Sequence, residues 1–140
     1  MRKYDLSAGR NDFKYLNSLM EKLKVQACIF IESLRKRFMK HSPIVGEIME
    51  NSFEFVFWGL DFVTITEVLY EKGRLSFEKG ELNTYLVYDD NKELIISYDF
   101  DKHGNIGDGY LNEDFAEYYY LEFVHKLLDY SAEKGIKFRL

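Results

Sequence analysis

The stretch Asp99-Phe100-Asp101-Lys102-His103-Gly104-Asn105-Ile106 opens as a calcium loop of the EF-hand type does. Oxygen donors stand at its first and third places, glycine at the sixth and isoleucine at the eighth. Calcium takes about six to eight oxygens, so the remaining places decide. The fifth is His103, a nitrogen donor. The twelfth is Tyr110, where a bidentate glutamate is required. A β-hairpin turning at Asp101-Lys102-His103-Gly104, with the glycine left-handed, accounts for the same residues. Asp99 and Asp101 stay as the only metal candidates, and no cofactor is expected.

The other chemistry-bearing side chains are scattered. His41, His103 and His125 lack the spacing of paired zinc ligands, and the single Cys28 cannot supply a thiolate cluster. A Cys28–His nucleophilic pair is conceivable, but Cys28 falls inside a long helix, where a packed small apolar residue is the simpler reading. Carboxylates are plentiful, among them Glu54, Asp61, Glu67, Glu113, Asp114, Glu117 and Glu122. General acid–base work needs two that converge in a partly dry cleft, whereas Glu54 and Glu67 alternate along strands and most simply face water. No phosphate loop, nucleophile elbow or dinucleotide fingerprint occurs.

Aromatic residues are the compositional oddity, with 12 Phe, 11 Tyr and one Trp. Consecutive Tyr118, Tyr119 and Tyr120 cover about 300° of a helix, so at least one ring should leave the main core. Exposed rings suit contact surfaces because they bury much area with few rotors. Trp58, Tyr118 and Tyr119 are the expected binding residues. The competing use of large rings is to fill a wide core between sheet and helix.

The elements that must position these side chains emerge from periodicity. Residues 1–10 read as a loose arm, and Asn11 or Asp12 can cap the helix beyond it. Leu16, Met20, Leu23, Ala27, Phe30 and Leu34 form one helical seam, widened by Leu19, Ile31 and Phe38. Val25, Cys28 and Ile29 lie off it, which implies more than one covered face. A helix of roughly 28 residues, about 42 Å long, either overhangs a sheet or pairs with a second copy. Pro43 closes it.

Phe53-Glu54-Phe55-Val56-Phe57-Trp58 then alternates as a strand, broken by Gly59. Phe62 to Tyr70 is a second strand, with Val63, Ile65 and Leu69 on one side and Thr64, Thr66 and Val68 on the other. Lys72-Gly73 turns, Leu75 and Phe77 mark a short strand, and Lys79-Gly80 turns again. Leu82–Tyr88 and Leu94–Phe100 pair across a turn at Asp89–Lys92. Short connections make the sheet an antiparallel meander of four to five strands. A second helix carries Asp114 and Glu117 as a capping box, and Tyr120, Leu121, Val124, Leu127 and Leu128 as its buried stripe. Gly135 stops it, and Ile136–Leu140 alternates like an edge strand. The expectation is a single α+β domain over 1–140: an antiparallel meander packed by a long N-terminal and a shorter C-terminal helix.

Composition narrows the class. The chain has 140 residues, 46% hydrophobic and 31% charged, without an apolar run near the roughly 20 residues of a membrane helix. A lone cysteine and an opening without a secretory signal suit the reducing cytoplasm. Met1–His41 carries ten Lys/Arg and four Asp/Glu, while Ser42–Leu140 carries nine and twenty. The two parts should attract each other, within or between chains. The densest basic cluster, Arg35, Lys36, Arg37 and Lys40, sits at a helix end where cations complement the dipole, and the acidic remainder repels phosphate. No nucleic-acid or membrane partner is expected.

With its first helix around Leu16 to Leu34, its aromatic strand Phe53–Trp58 and its Tyr118–Tyr120 helix, the chain resembles the small orphan α+β proteins of mobile integron gene cassettes. Such proteins mostly lack assigned activities, so the likeness transfers no site. Small acidic secretion chaperones share the size and the dimer habit, but place a helix between strands. The residues favour a non-enzymatic binding module acting as a homodimer, holding a protein partner or a small apolar ligand. The alternative is a small hydrolase or lyase using His103 or His125 with a nearby carboxylate.

Overall fold

A computed structural model of the chain describes residues 6–68, 79–107 and 114–139; for 6–13, 47 and 48 only the backbone is described. The element order is α1 (Leu6–Phe38), β1 (Ile44–Met49), β2 (Ser52–Phe57), β3 (Leu60–Val68), β4 (Gly80–Tyr88), β5 (Asn91–Phe100) and α2 (Phe115–Lys134). This is the α+β arrangement expected, with a long first helix, a shorter last one and five antiparallel strands in the order β1-β2-β3-β4-β5. Among the described residues no helix is long and apolar enough to cross a membrane.

Helix α1 is longer than its sequence pattern suggests. It begins at Leu6, inside the stretch that reads as an arm, and Asn11 and Asp12 lie within it rather than capping it. A single Gly9 costs about 1 kcal/mol relative to alanine, which does not stop a helix flanked by good formers. The seam behaves as expected: Leu19, Leu23, Ala27, Phe30, Ile31, Leu34 and Phe38 are all buried. Val25 and Ile29 are not, so no second face of this helix is covered at these positions.

The sheet buries one face against both helices. Phe53, Phe55 and Phe57 alternate inward from β2, joined by Phe62 and Thr64, by Leu82, Thr84 and Leu86, and by Ile96, Tyr98 and Phe100. On β3 the threonine side is therefore the inner one. Two connections are two-residue hairpin turns with both central residues at positive φ: Trp58-Gly59 (51° and 80°) and Asp89-Asp90 (45° and 64°). That conformation matches the right-handed twist of the flanking strands. The expected turn and strand between 69 and 78 lie outside the described residues.

Gly80 is the first residue of β4 and not a turn. It pairs with Phe100, whose ring lies over it. A Cβ there would come within 2.6 and 2.7 Å of two ring atoms and closer still to a third. Glycine is needed for close approach, not for its φ. Gly80→Ala should therefore cost about 1–3 kcal/mol through displacement of Phe100. A thermal melt observed by circular dichroism checks it; a melting temperature equal to the parent's would contradict the packing.

Of the stripe expected on helix α2, Leu127 is buried and Tyr120 and Val124 pack half-buried against the core, whereas Leu121 and Leu128 do not. Phe115, Tyr119, Phe123, Leu127 and Ser131 are buried, at steps of four, while Leu121 and Leu128 face out. Asp114 stands at the N-cap without a side-chain cap bond, and Glu117 reaches across to Arg37, so the capping box does not form. An ion pair to a guanidinium outcompetes the local backbone bond. Gly135, at φ 68°, ends the helix as expected, its N–H bonding Ser131 O. Residues 136–139 form no strand; one backbone bond, Arg139 N–H to Trp58 O, ties them to the β2–β3 turn.

Candidate functional surface

The three expected contact rings end in three different places. Tyr119 is fully buried, which removes it from any contact surface. Its hydroxyl lies 2.6 Å from Thr84 Oγ1, which lies 2.8 Å from Thr64 Oγ1, and it donates to Leu82 O at 3.4 Å. If Tyr119 donates to that carbonyl, Thr84 must donate to Tyr119 and Thr64 to Thr84. The chain satisfies three hydroxyls that would otherwise be buried at a cost. Burial pushes the Tyr119 phenol well above the usual tyrosine range.

Trp58 is partly exposed, in a left-handed conformation that a bulky side chain rarely adopts. Its indole packs at 4.4 Å on Phe57 and edge-on at 4.9 Å on Phe138, and its carbonyl holds Arg139. These contacts hold the strained turn and make Trp58 the anchor of the last residues. Tyr118, by contrast, stands half-exposed on the outer side of α2.

The catalytic candidates do not assemble. His103 and His125 are exposed, and neither imidazole makes a hydrogen bond with a carboxylate among the described residues. His41 lies beside the Tyr120 ring at 5.7 Å. Asp101 is engaged by its own loop: its carboxylate accepts from the backbone N–H of His103 at 2.9 Å and of Asn105 at 3.0 Å, and from Asn105 Nδ2 at 3.0 Å. Although burial opposes it, those bonds hold the Asp101 carboxyl below the usual range. Asp99 faces Lys79 at 3.7 Å. The loop is the hairpin that its failed calcium places implied, with Phe100 and Ile106 bridged across it. Among the described residues no group of three or more His, Cys, Asp or Glu is placed to hold a metal.

Three other polar features are built into the fold. Arg37 of α1 is held by both carboxylate oxygens of Glu117 on α2, with its guanidinium 3.9 Å over the Tyr120 ring. The guanidinium holds the Glu117 carboxyl below its usual range. On the sheet face turned away from the helices, Glu67 accepts from the Tyr85 hydroxyl at 2.5 Å and from Asn83 Nδ2 at 3.1 Å. Burial and this carboxylate push the Tyr85 phenol up to about 12. Tyr98 donates to Glu122, joining β5 to α2.

Two concavities accompany them. A groove of about 630 Å³ opens at the end of the sheet between the two hairpin turns and the end of α2, with Asp61, Asp89, Glu93 and Lys134 around Tyr88 and Tyr130. A smaller one of about 280 Å³ lies between α1 and the far ends of β2 and β3, with Leu23, Ala27, Cys28, Val68 and Phe100 in its wall. The first also has Leu60, Leu86, Val87 and Ile136 in its wall, so its lining is mixed. The second is just under the size of ordinary ligand pockets.

The feature that sequence periodicity missed is on the outside of the helix layer. Tyr118, Leu121, His125, Leu128 and Ala132 recur at steps of three and four along α2, the spacing of a coiled-coil seam. All five are exposed. On α1, Val25 and Ile29 occupy the corresponding outer line, after Lys22 and before Glu32 and Lys36, which pair with each other at 3.3 Å. Val25, Ile29, Tyr118, Leu121 and Leu128 are each between 44% and 57% exposed. Helix α2 thus has two apolar sides, and only one is used inside the chain.

No protein-family model matches this sequence, and no curated protein or solved structure matches it. Function must therefore be argued from the chain's own geometry.

Proposed function

We propose that the protein is a non-enzymatic binding module that acts as a homodimer and engages a protein partner. One observation carries this reading. The outer side of the helix layer presents large apolar side chains at seam spacing, whereas a helix side meant for water is polar. Apolar area removed from water contributes about 25 cal/mol per Å², so such a row favours association. The candidate catalytic groups give no support to a hydrolase or lyase, since among the described residues neither exposed imidazole is hydrogen-bonded to a carboxylate. The free thiol of Cys28 suits a reducing, cytoplasmic setting.

Size-exclusion chromatography with light scattering tests the reading directly. The expected mass is twice the 16.7 kDa of one chain at concentrations of about 10 μM and above. A single-chain mass up to about 1 mM would overturn it.

A further inference from the structure

We infer that the sheet face turned away from the helices docks the protein partner, and that it takes a basic amphipathic segment, with lysines or arginines beside aliphatic side chains. The inference rests on the reading that the chain engages a protein partner, and adds the face used and what it selects.

Strand pairing sets the side chains of this face in rungs. Val45, Glu54, Val63, Tyr85 and Leu94 form one rung across all five strands. Val56, Asp61, Val87 and Lys92 form a rung on one side of it, and Ile65, Asn83 and Ser97 a rung on the other. Beyond these, Glu67, Glu81 and Asp99 stand directly opposite one another on β3, β4 and β5. Paired residues share a face, and successive residues of a strand alternate, so all of these lie on the side away from the core. None of the aliphatic ones belongs to the core cluster between sheet and helices.

Like charges directly opposite on neighbouring strands destabilise a sheet. The Glu67–Glu81–Asp99 rung repeats that arrangement across three strands. Among the described residues only Lys79, 3.7 Å from Asp99, forms an ion pair with any of the three. Glu67 is bonded by two neutral donors, Tyr85 and Asn83, which leave its charge in place. Asn83, on the adjoining rung, is 3% exposed, and its Oδ1 has no hydrogen-bond partner. A buried acceptor without a donor is costly. The carboxylates are not placed to hold a metal. An ammonium or guanidinium, rich in N–H donors, supplies what both the rung and this oxygen lack. The Tyr85 ring already has one cation over it, Lys92 at 5.9 Å from its centre.

Charge also decides against other occupants. The face carries Glu54, Asp61, Glu67, Glu81 and Asp99 against Lys79 and Lys92. A second copy laid on it brings the same surplus of carboxylates, and nucleic acid brings phosphates, so both are repelled. A basic segment is attracted. The aliphatic rungs beside the acidic one, with Val45 39% and Leu94 52% exposed, favour a segment that is apolar on one side. From β2 to β5 the face is about 14 Å wide, which suits a single helix of about 10 Å.

The probe is a fluorescein-labelled synthetic peptide of lysine and leucine, patterned as an amphipathic helix of about 14 residues. Fluorescence anisotropy at about 50 mM salt should give a Kd of about 10 μM or tighter for the parent protein. The double variant Glu81→Gln/Asp99→Asn should bind at least about tenfold more weakly. Asp129→Asn/Glu133→Gln removes the same charge from exposed positions of α2 and should change binding by less than about twofold. Both should melt within about 3 °C of the parent. A peptide with serine in place of leucine should bind at least about fivefold more weakly. Should the sheet variant fail to fold, Leu94→Ser tests the same face and should weaken binding at least about threefold.

The outcomes separate the two readings. No binding of the lysine–leucine peptide up to about 1 mM overturns the inference and leaves the homodimer, which is read by mass, untouched. If the peptide binds but the α2 variant weakens it as much as the sheet variant does, the partner reading stands and this face is overturned as its site. A single-chain mass for the parent removes the homodimer and not this surface, which needs only one copy.

Discussion

Replacing Phe123 by alanine should lower the melting temperature by about 10–20 °C. The side chain is fully buried at the centre of the fold. Its ring stands edge-on to Phe38, Phe55, Phe57 and Phe62 at centroid distances of 5.3, 5.7, 5.4 and 5.1 Å. Edge-to-face pairs add about 0.5–1.5 kcal/mol each beyond the area they bury. A buried Phe→Ala change costs about 3–5 kcal/mol through lost transfer energy and the cavity left behind. In a domain of this length each kcal/mol moves the midpoint by about 3–5 °C. Four rings from α1, β2 and β3 lose their common partner. Phe123→Leu, which keeps most of the volume, should lose less than half as much. A shift below about 3 °C for the alanine variant would show that the centre of the core lies elsewhere.

Tyr119→Ala should have nearly as large an effect, about 3–5 kcal/mol. The ring packs edge-on against Tyr98 at 5.0 Å and carries the hydroxyl that ends the Thr64–Thr84 chain. Tyr119→Phe isolates the polar part. It leaves the Thr84 hydroxyl without its acceptor in a buried site, a loss of about 1–2 kcal/mol. Adding Thr84→Val should return part of that loss, since the stranded hydroxyl is then gone. Denaturant titrations of the three variants measure this. An additive double variant would show that the two hydroxyls do not interact.

Alkaline pH offers a second readout of the same group. The folded-state pKa of Tyr119 is raised above the ordinary value of 10.0, chiefly by burial. Its contribution is therefore complete below about pH 10 and is lost as pH rises beyond it. Tyr85 behaves in the same sense, pushed up to about 12 by burial and Glu67. Between about pH 8 and about pH 11 the denaturant midpoint of the parent should fall further than that of Tyr119→Phe. Equal falls would place the alkaline loss on other groups.

Much of this architecture is legible in the residues. The α1 seam is one unbroken 3–4 pattern, so Leu23, Ala27, Phe30 and Leu34 have only one side to face. Alternating Phe53, Phe55 and Phe57 leave no doubt about which face of β2 is inner. Asp89-Asp90 and Trp58-Gly59 are short connections between runs of period two, and such connections impose antiparallel pairing.

The departures from expectation have equally local causes. Helix α2 is apolar on two sides, at Phe115-Tyr119-Phe123-Leu127 and at Tyr118-Leu121-Leu128. Periodicity alone cannot say how far each of two apolar sides turns to the sheet: Leu127, Tyr120 and Val124 of the expected stripe meet the core, and Leu121 and Leu128 do not. The same ambiguity puts Tyr119 on the outside. Only the partner residues settle the matter, since Thr84 and Leu82 O give its hydroxyl somewhere to bond. Gly80 looks like a turn in sequence because its role, making room for the Phe100 ring, depends on a residue in the next strand. Ion pairs over such distances, Arg37 with Glu117 above all, leave no trace in local pattern.

The simple order of the sheet has a consequence for how the chain acquires its shape. Each strand lies beside its neighbour in sequence, so the strands can zip one hairpin at a time with little loop entropy to overcome. The remote closures are those of α1, whose Arg37 meets Glu117 across 80 residues. During synthesis α1 is made before any surface exists to receive it, and its seam stays wet until the strands and then Phe115–Lys134 have emerged. Docking of the two helices is the natural last step, and the interval before it is when this chain is most exposed to unwanted association.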